Sequence, residues 1–279
     1  MSPPPLRRIV ALRMATQHIG RLSQFYREAL GAEPDGVATA IDAAEAAMLG
    51  IGSGIRQSLL VGGFPIGLDQ FDVAGAPYPH AADAADLRFQ HFAVIVRDAA
   101  SAFDRAVACG ATPISREGPV TLPRSSGGVT AVKLRDPEGH PFELLQFPGD
   151  ADTRWRYVAP NTLGVLGIDH SAIAVADADR SRPFYAASGL VERGATINAG
   201  PTQAALDGLS LESVDVVPLY PQVDTPHLEL LGYRGVGARR AADLRIVDVA
   251  ATRTVWSSDR DGLRRDPDGH WHQLSVAAE

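Results

Sequence analysis

Apolar residues along the chain gather into short blocks, and the blocks come in a recurring order. Four segments open alike: RRIVALRMA (7–15), RFQHFAVIV (88–96), GIDHSAIAV (167–175) and LRIVDVAATRTVW (244–256). Such short apolar or alternating runs, bounded by polar clusters, predict strands. The first three are followed by stretches with apolar residues at helical spacing and a Gly at the end: GRLSQFYREALG (20–31), DAASAFDRAVACG (98–110) and DADRSRPFYAASGL (177–190). These predict helices. Short strand-like runs come next and finish in a last strand: FPIGLDQFD (64–72), HPFELLQFP (140–148), HLELLGY (227–233) and HWHQLSV (270–276).

The repeat is therefore β-α-β-β-β, a unit that cannot close a core alone and must pair with another. The fold class expected is α+β, with four such modules paired into curved mixed sheets that enclose a cleft. The modules run over 6–72, 88–148, 165–233 and 244–276, in an N-terminal half (1–150) and a C-terminal half (164–279). Asp248 to Gln273 is too short a distance for a helix and a full set of strands, so the fourth module is expected to be truncated. Linkers are read at 72–87, 149–164 and 234–244. The shared string Arg-Asp-Pro-acid-Gly-His, at 135–140 and 265–270, is the hairpin before the last strand. Its Pro presets one turn dihedral and its Gly tolerates positive φ. The turn recurs because the module does.

Composition narrows the class of partner. A formal charge of -7 and a pI near 5.6 argue against nucleic acid or an anionic membrane surface. The single cysteine, Cys109, excludes an internal disulfide framework and fits a reducing cytoplasm; its helix-end context reads as buried packing. No long apolar run suggests a membrane span, and MSPPPLRR is too short and too Pro-rich for a secretory signal. A cytoplasmic monomer or homodimer acting on a small molecule is the expectation.

Candidate chemistry comes from residues that interrupt the apolar strands. His91 and His170 sit in first strands, and Glu143 and Glu229 in last strands. Laying the repeat on itself puts Ala11 and Gly67 at these positions in unit one, and Asp248 and Gln273 in unit four. A single strand histidine is more often a satisfied core or surface residue than a ligand. His and Glu at the same two places in two units make a stronger signal, because buried charges are costly unless paired or bound to a metal. Two such pairs brought together form a His2Glu2 site suited to Zn, Fe, Mn, Co or Ni. His227 shares a face with Glu229 and is a possible pocket residue, whereas His140 and His270 read as turn structure. Asp248 with Gln273 is a poorer alternative site. GIGSGIR (50–56) lacks dinucleotide-loop spacing, and SSGG (125–128) reads as a flexible loop able to cover a pocket.

HFAVIV with His91, DHSAIAV with His170, RPFYAASGL and RDPEGHPFELLQF with Glu143 together resemble the vicinal oxygen chelate superfamily, the glyoxalase, bleomycin-resistance and extradiol dioxygenase group. The resemblance covers nearly the whole chain, most weakly over 244–279. It implies that first-strand and last-strand positions of paired modules ligate a divalent metal, here His91, Glu143, His170 and Glu229. Pairing two with three and one with four would collect all four in one place; pairing in chain order would leave two half-empty sites. The implied function is glyoxalase-like lyase or isomerase chemistry on a small oxygenated molecule, through a metal-stabilised enolate with Glu143 or Glu229 as general base. The superfamily also hosts Fe(II) extradiol dioxygenases and metal-free binding or resistance proteins. GGVTAVKLRDPEGH lacks the His and Tyr typical of the dioxygenases before this hairpin.

Overall fold

The computed structural model describes residues 3–149, 151, 153–223, 226–236 and 243–276. Each predicted opening block forms a strand: Arg8–Ala15, Gln90–Val96, Val165–Val175 and Arg253–Ser258. The last strands are Phe64–Phe71, Pro141–Gln146, His227–Arg234 and Trp271–Val276, each parallel to the opening strand of its own unit. The three expected helices are Ile19–Leu30, Ala99–Ala108 and Ala178–Ala186. Asp98 and Asp177 cap two of them by accepting from backbone N–H groups, and Gly31 ends the first in the left-handed region. Two further short helices, Ala43–Leu49 and Pro201–Asp207, lie in units one and three ahead of the closing hairpin. The linker at 234–244 lies partly outside the described residues.

The units pair across the two halves of the chain. Opening strands Gln90–Val96 and Val165–Val175 form an antiparallel ladder that joins units two and three in a ten-stranded sheet. Arg8–Ala15 and Arg253–Ser258 do the same for units one and four in an eight-stranded sheet. Unit four holds only three strands, Arg253–Ser258, Gly262–Arg265 and Trp271–Val276, with no helix between them.

Strand alternation then decides what faces where. Phe92, Val94, Phe142 and Leu144 point into a core shared with Leu22, Phe25 and Tyr26 of the first helix. A second core gathers Ile173, Val175, Tyr185, Leu230 and Trp256. His91 and Glu143 fall on the opposite face of the sheet, in the cleft.

The repeated turn has a structural task. Asp136 accepts a hydrogen bond from the Tyr26 hydroxyl at 2.7 Å and lies 2.8 Å from His140 Nδ1, while His140 Nε2 reaches the Ala15 carbonyl at 2.9 Å. In the other copy Asp266 accepts from the Tyr185 hydroxyl at 2.8 Å and His270 Nε2 reaches the Ala174 carbonyl at 2.8 Å. The Phe-Tyr helix motif and the Asp-Pro turn are thus two sides of one buried lock. It ties unit one to two and unit three to four.

One register expectation is corrected. Asp248 is not on a strand; it sits in the bend of the turn before Arg253–Ser258. Its carboxylate accepts from the Ala76 backbone N–H and from Arg245. Asp86 occupies the same bend in unit two, with the same backbone closure (Phe89 N–H to Asp86 carbonyl, Ala251 N–H to Asp248 carbonyl, both 2.8 Å). The residue matching His91 is therefore Arg253, and no Asp248–Gln273 site forms.

Candidate metal centre

The ladder between units two and three brings the predicted residues together. His91 Nε2 and His170 Nε2 each lie 3.5 Å from Glu143 Oε2, and His170 Nε2 lies 3.6 Å from Glu229 Oε2. The two imidazole centroids are 5.7 Å apart. The candidate ligand atoms of His91, Glu143 and His170 all lie within 4.8 Å of one another, as do those of Asp169, His170 and His227. Glu229 stands at the edge of the first group, where His227 Nε2 meets its other oxygen at 3.2 Å. His227 in turn stacks on Tyr220, with centroids 4.4 Å apart and planes 14° apart. All of these line a cleft of about 320 Å³.

Burial and charge tune each group. Burial holds the His91 imidazole below its usual pKa, so it is neutral. Burial would raise Glu143, but the His170 and His91 imidazoles and the Lys133 ammonium keep it well below the carboxylate range. Burial opposes charge on His170 as well, yet Glu229, Asp169 and Glu143 push it up. Glu229 is held down by His170 and His227 against its own burial. The neutral His91 imidazole and the two carboxylates are in the forms that coordinate metals, whereas His170, raised by the carboxylates around it, must release its Nε2 proton for an ion to bind.

The donor set fits a divalent ion. Two atoms bonded to one ion at about 2.1 Å stand roughly 3.0–3.4 Å apart in octahedral or tetrahedral geometry. The observed 3.5–3.6 Å separations are close to that. Both ring nitrogens of His91 are buried without a hydrogen-bond partner, a costly state for a polar group that coordination would relieve.

Several participants were not read from the sequence. Asp169 lies next to His170, and plain alternation would send it to the other face. A β-bulge between Ile168 and His170 turns it back. Its carboxylate lies 3.2 Å from His170 Nδ1 and accepts from Trp155 Nε1 at 2.8 Å. This orients His170 with Nε2 toward the carboxylates, the arrangement that metal-binding histidines use. Lys133, directly opposite Glu143 in the ladder between Thr130–Arg135 and Pro141–Gln146, is buried in an ion pair with Asp207 at 2.5 Å. Its signal in the sequence is a lone Lys in the apolar run TAVKL. The loop at 125–128 contributes Ser126 and Gly127 to the cleft wall, and Ser126 donates to Asn198 at 2.8 Å.

Residues 10–145 match the family model described as Glyoxalase-like domain. That match places units one and two in the vicinal oxygen chelate superfamily, and units three and four repeat their fold. Glyoxalase I from Zea mays superposes with a TM-score of 0.60 at 17% identity, covering 96% of this chain and 92% of that one. A Bacillus subtilis protein bearing a provisional dioxygenase name superposes with a TM-score of 0.55 at 14% identity, over 98% and 86% of the two chains. At these identities the likeness establishes the fold. Among curated protein sequences, none matches this chain.

Proposed function

We propose that this chain is a metal-dependent enzyme acting on a small oxygenated organic molecule by glyoxalase-like lyase or isomerase chemistry. The observation that carries this reading is the meeting of His91, Glu143, His170 and Glu229 at one point of a closed-in cleft. His91, His170 and Glu143 would hold a divalent cation, with Glu229 as fourth ligand. Such a cation supplies a Lewis acid that binds two vicinal oxygens and stabilises an enolate.

The chain's own residues divide the remaining work. Glu143 touches both imidazoles and is the more enclosed carboxylate, which suits a permanent ligand. Glu229 is held at one oxygen by His227 and is the more exposed of the two. It is the group placed to release its hold and take a proton from substrate carbon, then return it to the neighbouring carbon. His227, stacked on Tyr220, keeps that carboxylate aimed. Asp169 fixes the His170 tautomer. The apolar wall of Leu122, Val129, Val214 and Val216 limits water.

One observation favours a second reading. His91, His170 and Glu143, taken alone, are a 2-His-1-carboxylate set of the kind that binds Fe(II) in oxygenases. Elemental analysis of protein purified without chelator, paired with two assays, separates the two. Stoichiometric metal that disappears in His91→Ala, with turnover of a methylglyoxal hemithioacetal, supports the first. Iron with oxygen uptake on catechols supports the second. Metal-free protein whose thermal stability ignores added Zn, Ni and Fe(II) would defeat both.

A further inference from the structure

The eight-stranded sheet presents the same cleft-facing positions, but none of the four carries a carboxylate or an imidazole there and one carries a guanidinium. Arg253 and Gln273 stand where His91 and Glu143 stand in unit two, while Ala11 and Gly67 take the places of His170 and Glu229. Arg13, two residues beyond Ala11 on the same face, lies directly opposite Arg253 in the ladder. A Cβ on Gly67 would come within 2.4 Å of Arg13 Nη1 and 2.6 Å of its Cδ. Glycine at this position leaves the room that Arg13 occupies.

Around the two arginines lies an ion-pair network. Arg56 binds Asp69 through Nε and Nη2 at 2.6 and 2.8 Å, and Glu45 through Nη1 and Nη2 at 2.8 Å each. Arg253 Nη2 also donates to Asp69, and its Nε reaches Gln273 Oε1 at 3.3 Å. Gln273 Nε2 donates to Glu45 at 2.8 Å. The side chains of Arg253 and Asp69 have 0% exposure.

The charges do not balance. Three guanidiniums (Arg13, Arg56, Arg253) face two carboxylates (Asp69, Glu45), an excess of one positive charge in a largely dry place. Like charges opposite each other in a ladder are destabilising, and an unpaired buried charge is more so. The excess is localised at atoms: Arg13 Nε and Nη1 and Arg253 Nη1 are buried with no hydrogen-bond partner. Burial and the neighbouring Arg56 accordingly lower Arg13 to about 10.

The geometry points to a binding site for one small monovalent anion of halide size, held by Arg13 Nε and Nη1 and by Arg253 Nη1. One negative charge closes the balance. A dianion such as phosphate would overshoot it. Where the ten-stranded sheet gathers donors for a cation, the eight-stranded sheet gathers donors for an anion, and the anion would serve to hold that half of the molecule together.

The test is thermal unfolding of the full chain at constant ionic strength, with sodium gluconate replaced stepwise by chloride or bromide. A saturating rise in Tm of roughly 3–5 °C is expected for a ligand well above its Kd. Arg13→Met should abolish the rise. Gly67→Ala should abolish it too, because its methyl displaces the Arg13 guanidinium while leaving every charge present. Crystals soaked in bromide should show an anomalous peak between Arg13 and Arg253. Equal Tm in gluconate and halide, with no bromide peak, overturns the site. Stabilisation by phosphate or sulfate alone overturns the assignment to a monoanion. Should either variant fail to fold, the bromide density in the unaltered protein decides.

Discussion

Replacing Asp169 by Asn tests whether the bulge at residues 168–170 exists to serve a metal. The Asp169 carboxylate accepts from two directions: Trp155 Nε1 at 2.8 Å and, at 3.2 Å, His170 Nδ1. An asparagine has one carbonyl oxygen and one NH2, so it can accept from only one of them. If Trp155 keeps the oxygen, the NH2 faces His170 Nδ1 and drives the ring proton to Nε2, the atom aimed at Glu143 and Glu229. A protonated Nε2 cannot coordinate. If the amide flips, His170 keeps its tautomer and the Trp155 N–H is stranded, at a cost of about 1–3 kcal/mol. Either way the site is disfavoured. Loss of such an orienting partner typically weakens metal binding about 10–100-fold, or roughly 1.4–2.7 kcal/mol. The assay is competition for Zn(II) or Co(II) against a chromophoric chelator, with circular dichroism to confirm folding. Trp155→Phe is the control and should cost much less, because the carboxylate remains. If Asp169→Asn binds metal within about threefold of the parent, a difference under 1 kcal/mol, while His91→Ala does not bind, the orienting role is wrong.

The turn locks predict stability changes that come in matched pairs. Tyr26→Phe removes a buried hydrogen bond to Asp136, and Tyr185→Phe the equivalent bond to Asp266. Each should cost roughly 1.5–3 kcal/mol in urea unfolding, the range for a bond to a charged group. Unequal costs would show that the copies no longer do the same job. Burial opposes charge on His140, but Asp136 at 2.8 Å raises its pKa above 6.5, and Asp136 is lowered from 3.8 by His140 and Tyr26 against its own burial. The His140 contribution is therefore complete below pH 6.5 and fades as pH rises through its folded value, whereas that of Asp136 is complete above pH 3.8 and fades as pH falls. His140→Gln should thus be most destabilising near pH 5–6, by about 3–5 kcal/mol for a broken buried pair, and least so in alkaline buffer; a flat pH profile would contradict this.

What the sequence showed plainly was what strand period and buried charge make visible. His91 and Glu143 interrupt largely apolar strands, and alternation alone sends them away from Phe92 and Phe142. The paired helix and turn motifs revealed the repeat. What stayed hidden followed from irregularities that period two does not contain. Asp169 reaches the site through a bulge. Asp248 reads as a strand position because it interrupts the apolar run LRIVDVAATRTVW (244–256), taken whole as the fourth opening strand. The backbone instead aligns the turns at Asp86 and Asp248 and hands the site position to Arg253. The helix Ala43–Leu49 carried a visible cap at Asp42 and an Ala-rich run, a signal masked by treating everything after the first helix as strand.

The two kinds of contact between units also explain how one site stays functional in form while its twin changes sign. Ladders join two with three and one with four; turn locks join one with two and three with four. The units therefore close a ring of four contacts, in which each sheet's central ladder is braced from outside by helices and turns of the other pair. Backbone pairing and buried locks hold the geometry, and neither uses the cleft-facing residues. Those residues set what each cleft can bind. In units two and three they converge as imidazoles and carboxylates; in units one and four Ala11 and Gly67 give way to the guanidinium of Arg13, and Arg253 replaces a histidine. A scaffold whose backbone geometry is set outside its clefts can carry a cation site and an anion site on the same symmetry, which is why the His91→Ala and Arg13→Met variants should each alter one ligand response and leave the other intact.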